Sequence, residues 1–162
     1  MRLTIDEFLI ENSQKKKFEF IHNDMWNFKS KDLPECINLS TREEMLWGFA
    51  YGVHIHGIKP FIYSVSFFNI GRFEQFRKFF LLDPNANFMI FNAGHVGYDN
   101  LPEAHRFTDF NEEDVLMERR NVQIMDSSNF KSKEEFKALM EKYLMEGGRY
   151  YIKLGEDHLW EN

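Results

Sequence analysis

The chain has 162 residues, 43% of them hydrophobic and 18 of them Phe, and a formal charge of −6. That suffices for one domain with a sizeable core and is too little for two, and so aromatic a chain is not disordered. The negative balance argues against a nucleic-acid surface, because the only concentrated basic run, Lys15-Lys16-Lys17, reads as a solvated helix end.

In chain order, Thr4 with Glu7 makes a capping-box pattern for a helix from about Thr4 to Asn12, so the N-terminus does not read as a signal peptide. Phe18 to His22 is a strand. After an irregular polar stretch comes a second strand, Cys36-Ile37-Asn38-Leu39. Its lone cysteine cannot make an internal disulfide; a buried structural thiol suits it better than a nucleophile, which implies a reducing, cytoplasmic compartment. A helix is expected from about Arg42 to Ile55, with Leu46, Phe49, Ala50 and Val53 on one apolar face. Gly48 and Gly52 leave room for another backbone, and Gly57 closes the helix.

Pro60 opens the strand PFIYSVS, RFEQFRKFFLL is a helix stopped by Asp83-Pro84, and NFMIFNA is the next strand. Asn92 to Asn111 is a long loop rich in Gly, Asn and His. A short acidic helix and the strand Val122 to Met125 follow. Ser132 and Glu135 form a second capping box for a helix running to Gly147, and RYYIKL is the last strand. No stretch approaches the roughly 18 apolar residues that a membrane span needs.

Strands separated by helices form βαβ units. The pattern therefore predicts a single α/β domain over residues 1–162, with a mostly parallel sheet, helices on both faces and right-handed crossovers. Ligands of such sheets sit outside the carboxyl ends of the strands. Two places stand out there: the turn from Leu39 to Glu44 and the long loop after Ala93.

Glu43 and Glu44 stand at the first turn of the second helix. They can complement the helix dipole, worth about 0.3–1 kcal/mol each, or one of them can be a desolvated carboxylate poised for proton transfer. His54-x-His56 does not have the spacing that puts two imidazoles on one helical face. His95 and His105 share the long loop with Asp99 and Glu103, but not at a spacing typical of metal ligands. Ser40, Ser64 and Ser66 lack a nucleophile-elbow pattern. Neither G-x-G-x-x-G nor a Walker-type loop occurs.

The stretch CINLSTREEMLWGFAYGVHIHGIKPFIYSVSFFNIGRFEQFRKFF resembles the pyrimidine-binding domain of transketolase-like thiamine diphosphate enzymes. There a strand leads to G-[IV]-[AR]-E-[QH], then to an alanine- and glycine-rich helix and a PF-x-x-[ST]-F strand. Here these are Ser40-Thr41-Arg42-Glu43-Glu44, Gly48 with Gly52, and Pro60-Phe61-Ile62-Tyr63-Ser64. The closing YYIKLG is similar to the family's YIRLG, and the resemblance is strongest over residues 36–155.

The resemblance implies that Glu43 hydrogen-bonds N1′ of the cofactor's aminopyrimidine and activates it, in keeping with a desolvated carboxyl. It implies that Phe68 packs on the pyrimidine ring, that Ser64 and Arg72 fall on matched positions of the cofactor site, and that His105 stands where a GPTH loop places a substrate-contacting histidine. The sequence departs from the pattern at Ser40 (a glycine in the family), at Val65 and Gly71, and at Leu101-Pro102-Glu103-Ala104-His105, where the family has DGPTH.

The G-D-G…N motif that holds Mg²⁺ and the diphosphate in such enzymes is absent from these residues. The implied function is therefore one subunit of a split transferase or lyase acting on a sugar or 2-oxo acid. Thiamine diphosphate would be shared with a partner chain that carries Mg²⁺, in a homo- or hetero-oligomer. The alternative is a non-catalytic relative that serves as an interaction or regulatory module, and a third reading is an α/β sheet binding another small ligand.

Overall fold

The computed structural model describes residues 2–15, 17–23, 36–40, 42–65, 73–93 and 117–154. Its strands are β1 (Phe18–His22), β2 (Ile37–Asn38), β3 (Lys59–Val65), β4 (Phe88–Ala93), β5 (Gln123–Asp126) and β6 (Arg149–Lys153). All pair in parallel in one sheet of order β2-β1-β3-β4-β6-β5. The helices are α1 (Arg2–Asn12), α2 (Glu43–Ile55), α3 (Phe73–Phe76, continued by a π-helical turn Arg77–Leu81) and α4 (Lys133–Glu146).

Residues alternate between the two faces of a strand, and the core divides accordingly. Phe20, Phe61, Met89, Phe91 and Ile152 pack with Ile5 and Phe8 of α1 and with Phe136, Met140 and Tyr143 of α4. Ile21, Ile62, Ile90 and Tyr151 pack on the other side, with Leu46, Trp47 and Ala50 of α2 and with Phe76 and Phe80. Runs such as Phe61-Ile62-Tyr63 and Met89-Ile90-Phe91 are buried on both faces, as parallel strands under two helical layers require. Each such side chain contributes roughly 1.5–3 kcal/mol by leaving water. The chain steps one way across the sheet through α2 and α3, then back from β5 to β6 through α4. Right-handed crossovers in opposite directions demand opposite faces, which is the observed division.

The α/β architecture with a parallel sheet and helices on both faces is therefore as expected, while several local expectations are corrected. The first helix begins at Arg2, so Thr4 is not its cap; Thr4 lies inside the helix and is buried beside Ile5. On α2, Trp47 is buried and Phe49 is 39% exposed, because the helix is apolar on nearly every side and burial picks only the sheet-facing third. Met45 and Ile55 are exposed as well. Among the described residues no backbone approaches Gly48 or Gly52: a Cβ at Gly48 would meet the Phe79 ring at 3.8 Å, and one at Gly52 would meet nothing within 4 Å.

The helix after β3 turns π-helical, which nothing in RFEQFRKFFLL signals. Ser132 caps α4 as expected, with Oγ accepting from the Glu135 N–H at 3.2 Å. The reciprocal arm differs, since Glu135 Oε2 accepts from the Lys131 N–H. Gly57 and Gly147 follow their helices with φ of +78° and +80°, where a side chain would be strained. Residues 94–116, which hold most of the long loop and the start of the expected acidic helix, lie outside the described residues. Among the described residues no helix is long and apolar enough to cross a membrane.

Candidate functional site

The apolar row Ile21, Ile62 and Ile90 runs across β1, β3 and β4 on the α2 side of the sheet. Two residues further along each strand, on the same side by alternation, come Asn23, Ser64 and Asn92. Ser64 and Asn92 are register partners, and Asn23 lies one residue past the His22–Tyr63 pair. The apolar floor thus ends in a polar row at the carboxyl edge. All three are buried: Ser64 and Asn92 are 0% exposed and Asn23 is 1% exposed. Ser64 Oγ and both Oδ1 and Nδ2 of Asn23 have no hydrogen-bond partner among the described residues. Each such orphan costs on the order of 1–3 kcal/mol, so this edge is built against its own stability.

The position of this edge follows from the topology. From β1 the chain steps outward to β2, whereas from β3 it steps the other way to β4. The direction reverses between β1 and β3, and such a switch point is where open α/β sheets form their ligand crevice. Asn23, one residue past β1, and Ser64, one residue before the end of β3, stand at the carboxyl ends of the two strands that flank it.

The start of α2 lies at the same edge, because the helix leaves β2 through a short turn. Asn38 Oδ1 accepts from the Ser40 N–H at 2.7 Å and Ser40 takes φ +54°. This left-handed conformation is one that glycine adopts without strain, so the backbone keeps a glycine-type turn at the position where the resembled motif has glycine. Arg42 precedes the helix and gives it no side-chain cap. Glu43 is its first residue, at the positive end of the helix dipole; its side chain is not among the described ones. Phe68, Arg72 and His105 also lie outside the described residues. Of the residues expected in the site, the structure thus places Ser64 with its side chain and Glu43 by its backbone, at one edge.

Asn23 and Asn92 were not anticipated from sequence. The signal was present: in both FIHN and MIFN an asparagine ends a buried strand two residues after an isoleucine that faces α2.

Among the described residues, another group of polar side chains is tied into the fold itself. At the far end of α2, roughly 16 Å along the axis from Glu43, Asp83 joins several partners. Its Oδ1 accepts from the Asn85 N–H at 2.9 Å and its Oδ2 accepts from the Tyr51 hydroxyl at 2.9 Å. His54 Nε2 is 4.0 Å from Oδ2. The Asn85 N–H is the main cause that holds the Asp83 carboxyl below its ordinary value, helped by Tyr51, His54 and Arg149. Burial pushes the His54 imidazole down, against the pull of Asp83. His56 turns elsewhere, with Nδ1 at 2.8 Å from the Gly52 carbonyl. Burial, then the charges of Asp6 and Glu19, push the half-buried Cys36 thiol up to about 11, which suits a structural thiol and not a nucleophile.

No protein-family model and no curated protein matches the sequence. Among solved structures, a split-gene transketolase described as an inactive beta4 tetramer superposes with a TM-score of 0.70 and 24% identity, over 95% of this chain. The fold is transketolase-like. This chain spans 50% of the length of that transketolase chain. At this identity the likeness speaks for the architecture alone, and the chemistry has to be argued from the carboxyl edge.

Proposed function

We propose that this chain is the pyrimidine-binding subunit of a split, transketolase-like thiamine diphosphate enzyme. It would work in the cytoplasm with a partner chain that supplies the diphosphate and Mg²⁺ half. The observation that carries the reading is the placement of Glu43. It opens α2 directly after a glycine-type turn, at the carboxyl edge of a transketolase-like sheet, beside a switch point floored by unpartnered polar atoms. Those atoms fit a heterocycle with donors and acceptors on its rim, which is what an aminopyrimidine offers.

In this reading the Glu43 carboxyl would hold N1′ of the pyrimidine, a contact that a desolvated carboxyl can make by keeping its proton. Ser64 contributes a hydroxyl from the floor. Phe68 would pack on the ring face, Arg72 would belong to the cofactor site, and His105 would face a sugar or 2-oxo substrate. The bound cofactor supplies carbon–carbon bond cleavage or formation next to a carbonyl, and the protein supplies position and electrostatics. Met45 and Phe49, exposed on α2 beside this edge, suit burial by a second chain. The solved neighbour's description as a tetramer agrees with an oligomeric habit.

The second reading is a non-catalytic relative that associates with itself or a partner. The sequence Leu101-Pro102-Glu103-Ala104-His105, in place of the family's substrate loop, favours it.

Calorimetric titration of thiamine diphosphate and Mg²⁺ separates the two. Binding in a mixture with a companion chain bearing G-D-G…N, lost in Glu43→Gln, supports the split enzyme. Absence of binding in that mixture leaves the interaction module.

A further inference from the structure

We infer that α3 is a two-register helix held in its π form by Arg149, and that this register decides how firmly α2 is seated. The buried residues of the segment are Phe76, Phe80 and Leu81, the last two standing four and five residues after the first. An α-helical stripe runs i, i+3, i+4, and RFEQFRKFFLL offers that stripe as well, in Phe76, Phe79 and Phe80. The same sequence therefore carries two apolar faces one residue out of step. The π-turn Arg77–Leu81 absorbs the extra residue and selects the first face. Its mark is the Leu82 N–H, which donates to the Arg77 carbonyl, five residues back, at 3.0 Å. In the α register this N–H would donate to Lys78 instead. The residues ahead of the turn would then stand about 100° away around the axis.

Arg149, at the start of β6, is the clasp. Its guanidinium donates through Nη2 to the Phe80 carbonyl and through Nη1 to the Arg120 carbonyl at 2.6 Å, and lies 5.5 Å from the centre of the Phe88 ring. The Phe80 carbonyl needs such a donor. In an unbroken α-helix it would accept from the N–H of residue 84, and Pro84 has none. Arg120 and Phe88 lie outside α3, so a guanidinium anchored on them fixes where the Phe80 carbonyl must stand. Its buried Nε has no partner among the described residues, so the clasp is not a closed network.

Helix α2 rests on the same turn. The Tyr51 ring stacks on Phe79 with centres 5.6 Å apart and meets Phe80 edge-on at 5.8 Å, while the Trp47 ring lies 4.9 Å from Phe76. A one-residue change of register moves Phe76 relative to Phe79 and Phe80, so α2 cannot keep both sets of contacts. The register is thus a conformational device at the amino edge of the sheet. It acts on the helix that begins with Glu43 at the opposite edge.

Through-hydrogen-bond couplings from the Leu82 amide nitrogen to carbonyl carbons read the register directly in isotope-labelled protein. The parent should couple to Arg77. Arg149→Met should couple to Lys78, alone or beside Arg77, and its α2 amides from Phe49 to Ile55 should exchange with deuterium about tenfold faster. Should Arg149→Met fail to fold, Arg149→Lys, which lacks the planar fork, is read against the same expectations. Deletion of the exposed Lys78 tests the extra residue. Phe80 and Leu81 then follow Phe76 by three and four, so the segment should fold as plain α-helix with Leu82 still coupled to Arg77. Coupling to Lys78 in the parent, or to Arg77 alone in the Arg149 variant, overturns the inference. So does a changed register with α2 exchange unaltered, and so does a Lys78 deletion that unfolds or loses the Arg77 coupling.

Discussion

The Tyr51 hydroxyl donates to Asp83 Oδ2 at 2.9 Å, tying the last turns of α2 to the turn before β4 across 32 residues of sequence. The bond matters because α2 must be held at this end for its first residue to stay fixed at the other. Tyr51→Phe should cost about 0.5–1.5 kcal/mol, the usual net worth of such a bond.

The same cluster makes stability depend on acid. Folded His54 is lowered mainly by burial and takes a proton less readily than in the unfolded chain. Stability therefore falls as the pH drops from about 6.5 through the lowered value. Asp83 is lowered as well, so its contribution is present above about pH 3.9 and is lost as the pH falls through its folded value. Urea midpoints measured across pH 7 to 3 should show both declines. His54→Gln should remove the upper one and Asp83→Asn the lower. A flat midpoint between pH 6.5 and 5 in the parent protein would show that His54 does not report on folding.

Gly147 carries a sharper expectation. It follows α4 at φ +80°, and a Cβ there would stand 2.4 Å from Asn87 Oδ1, the atom that accepts from the Gly148 N–H. Gly147→Ala adds left-handed strain of roughly 1–2 kcal/mol to a clash that displaces this hydrogen bond. A loss above about 2 kcal/mol is expected in denaturant unfolding. A loss no larger than a surface substitution gives, about 0.5 kcal/mol, would mean that Asn87 yields freely.

Ser40 invites the opposite change. It takes φ +54°, in a turn steadied by the Asn38 side chain and by the Arg42 N–H donating to the Leu39 carbonyl. Ser40→Gly removes the Cβ from a left-handed position and should raise stability by up to about 1 kcal/mol, partly offset by the greater freedom of glycine when unfolded. A clear fall in melting temperature would mean that the serine side chain contributes more to the turn than its strain costs.

The strands were legible because parallel strands covered on both faces are continuous apolar runs cut by Gly, Pro, Asn and Asp. β1 emerges with the expected ends, and β3, β4 and β6 within about two residues of them. The facing of α2 was not legible. Met45, Leu46, Trp47, Phe49, Ala50, Tyr51, Val53 and Ile55 are spread round the whole helix, so the 3.6-residue period has no unique phase, and only packing against Ile21 and Ile62 selects Trp47 over Phe49. The place of Glu43 was legible from its strand–turn–helix setting. The asparagine closing FIHN was visible in the sequence, but its setting was not, because it arises where β1 meets β3, and neighbours in a sheet are not neighbours in sequence.

The strand order also sets a timetable for the growing chain. Among the described strands β5 lies at the outer edge and pairs only with β6, which is made last among the six and also completes the pairing of β4. A nascent chain halted before Arg149 would carry β4 with one naked edge and β5 with no neighbour at all. Closure of the sheet thus waits for the final β6 segment, the kind of late, non-local pairing that folds slowly and leaves strand edges open to the wrong partner meanwhile.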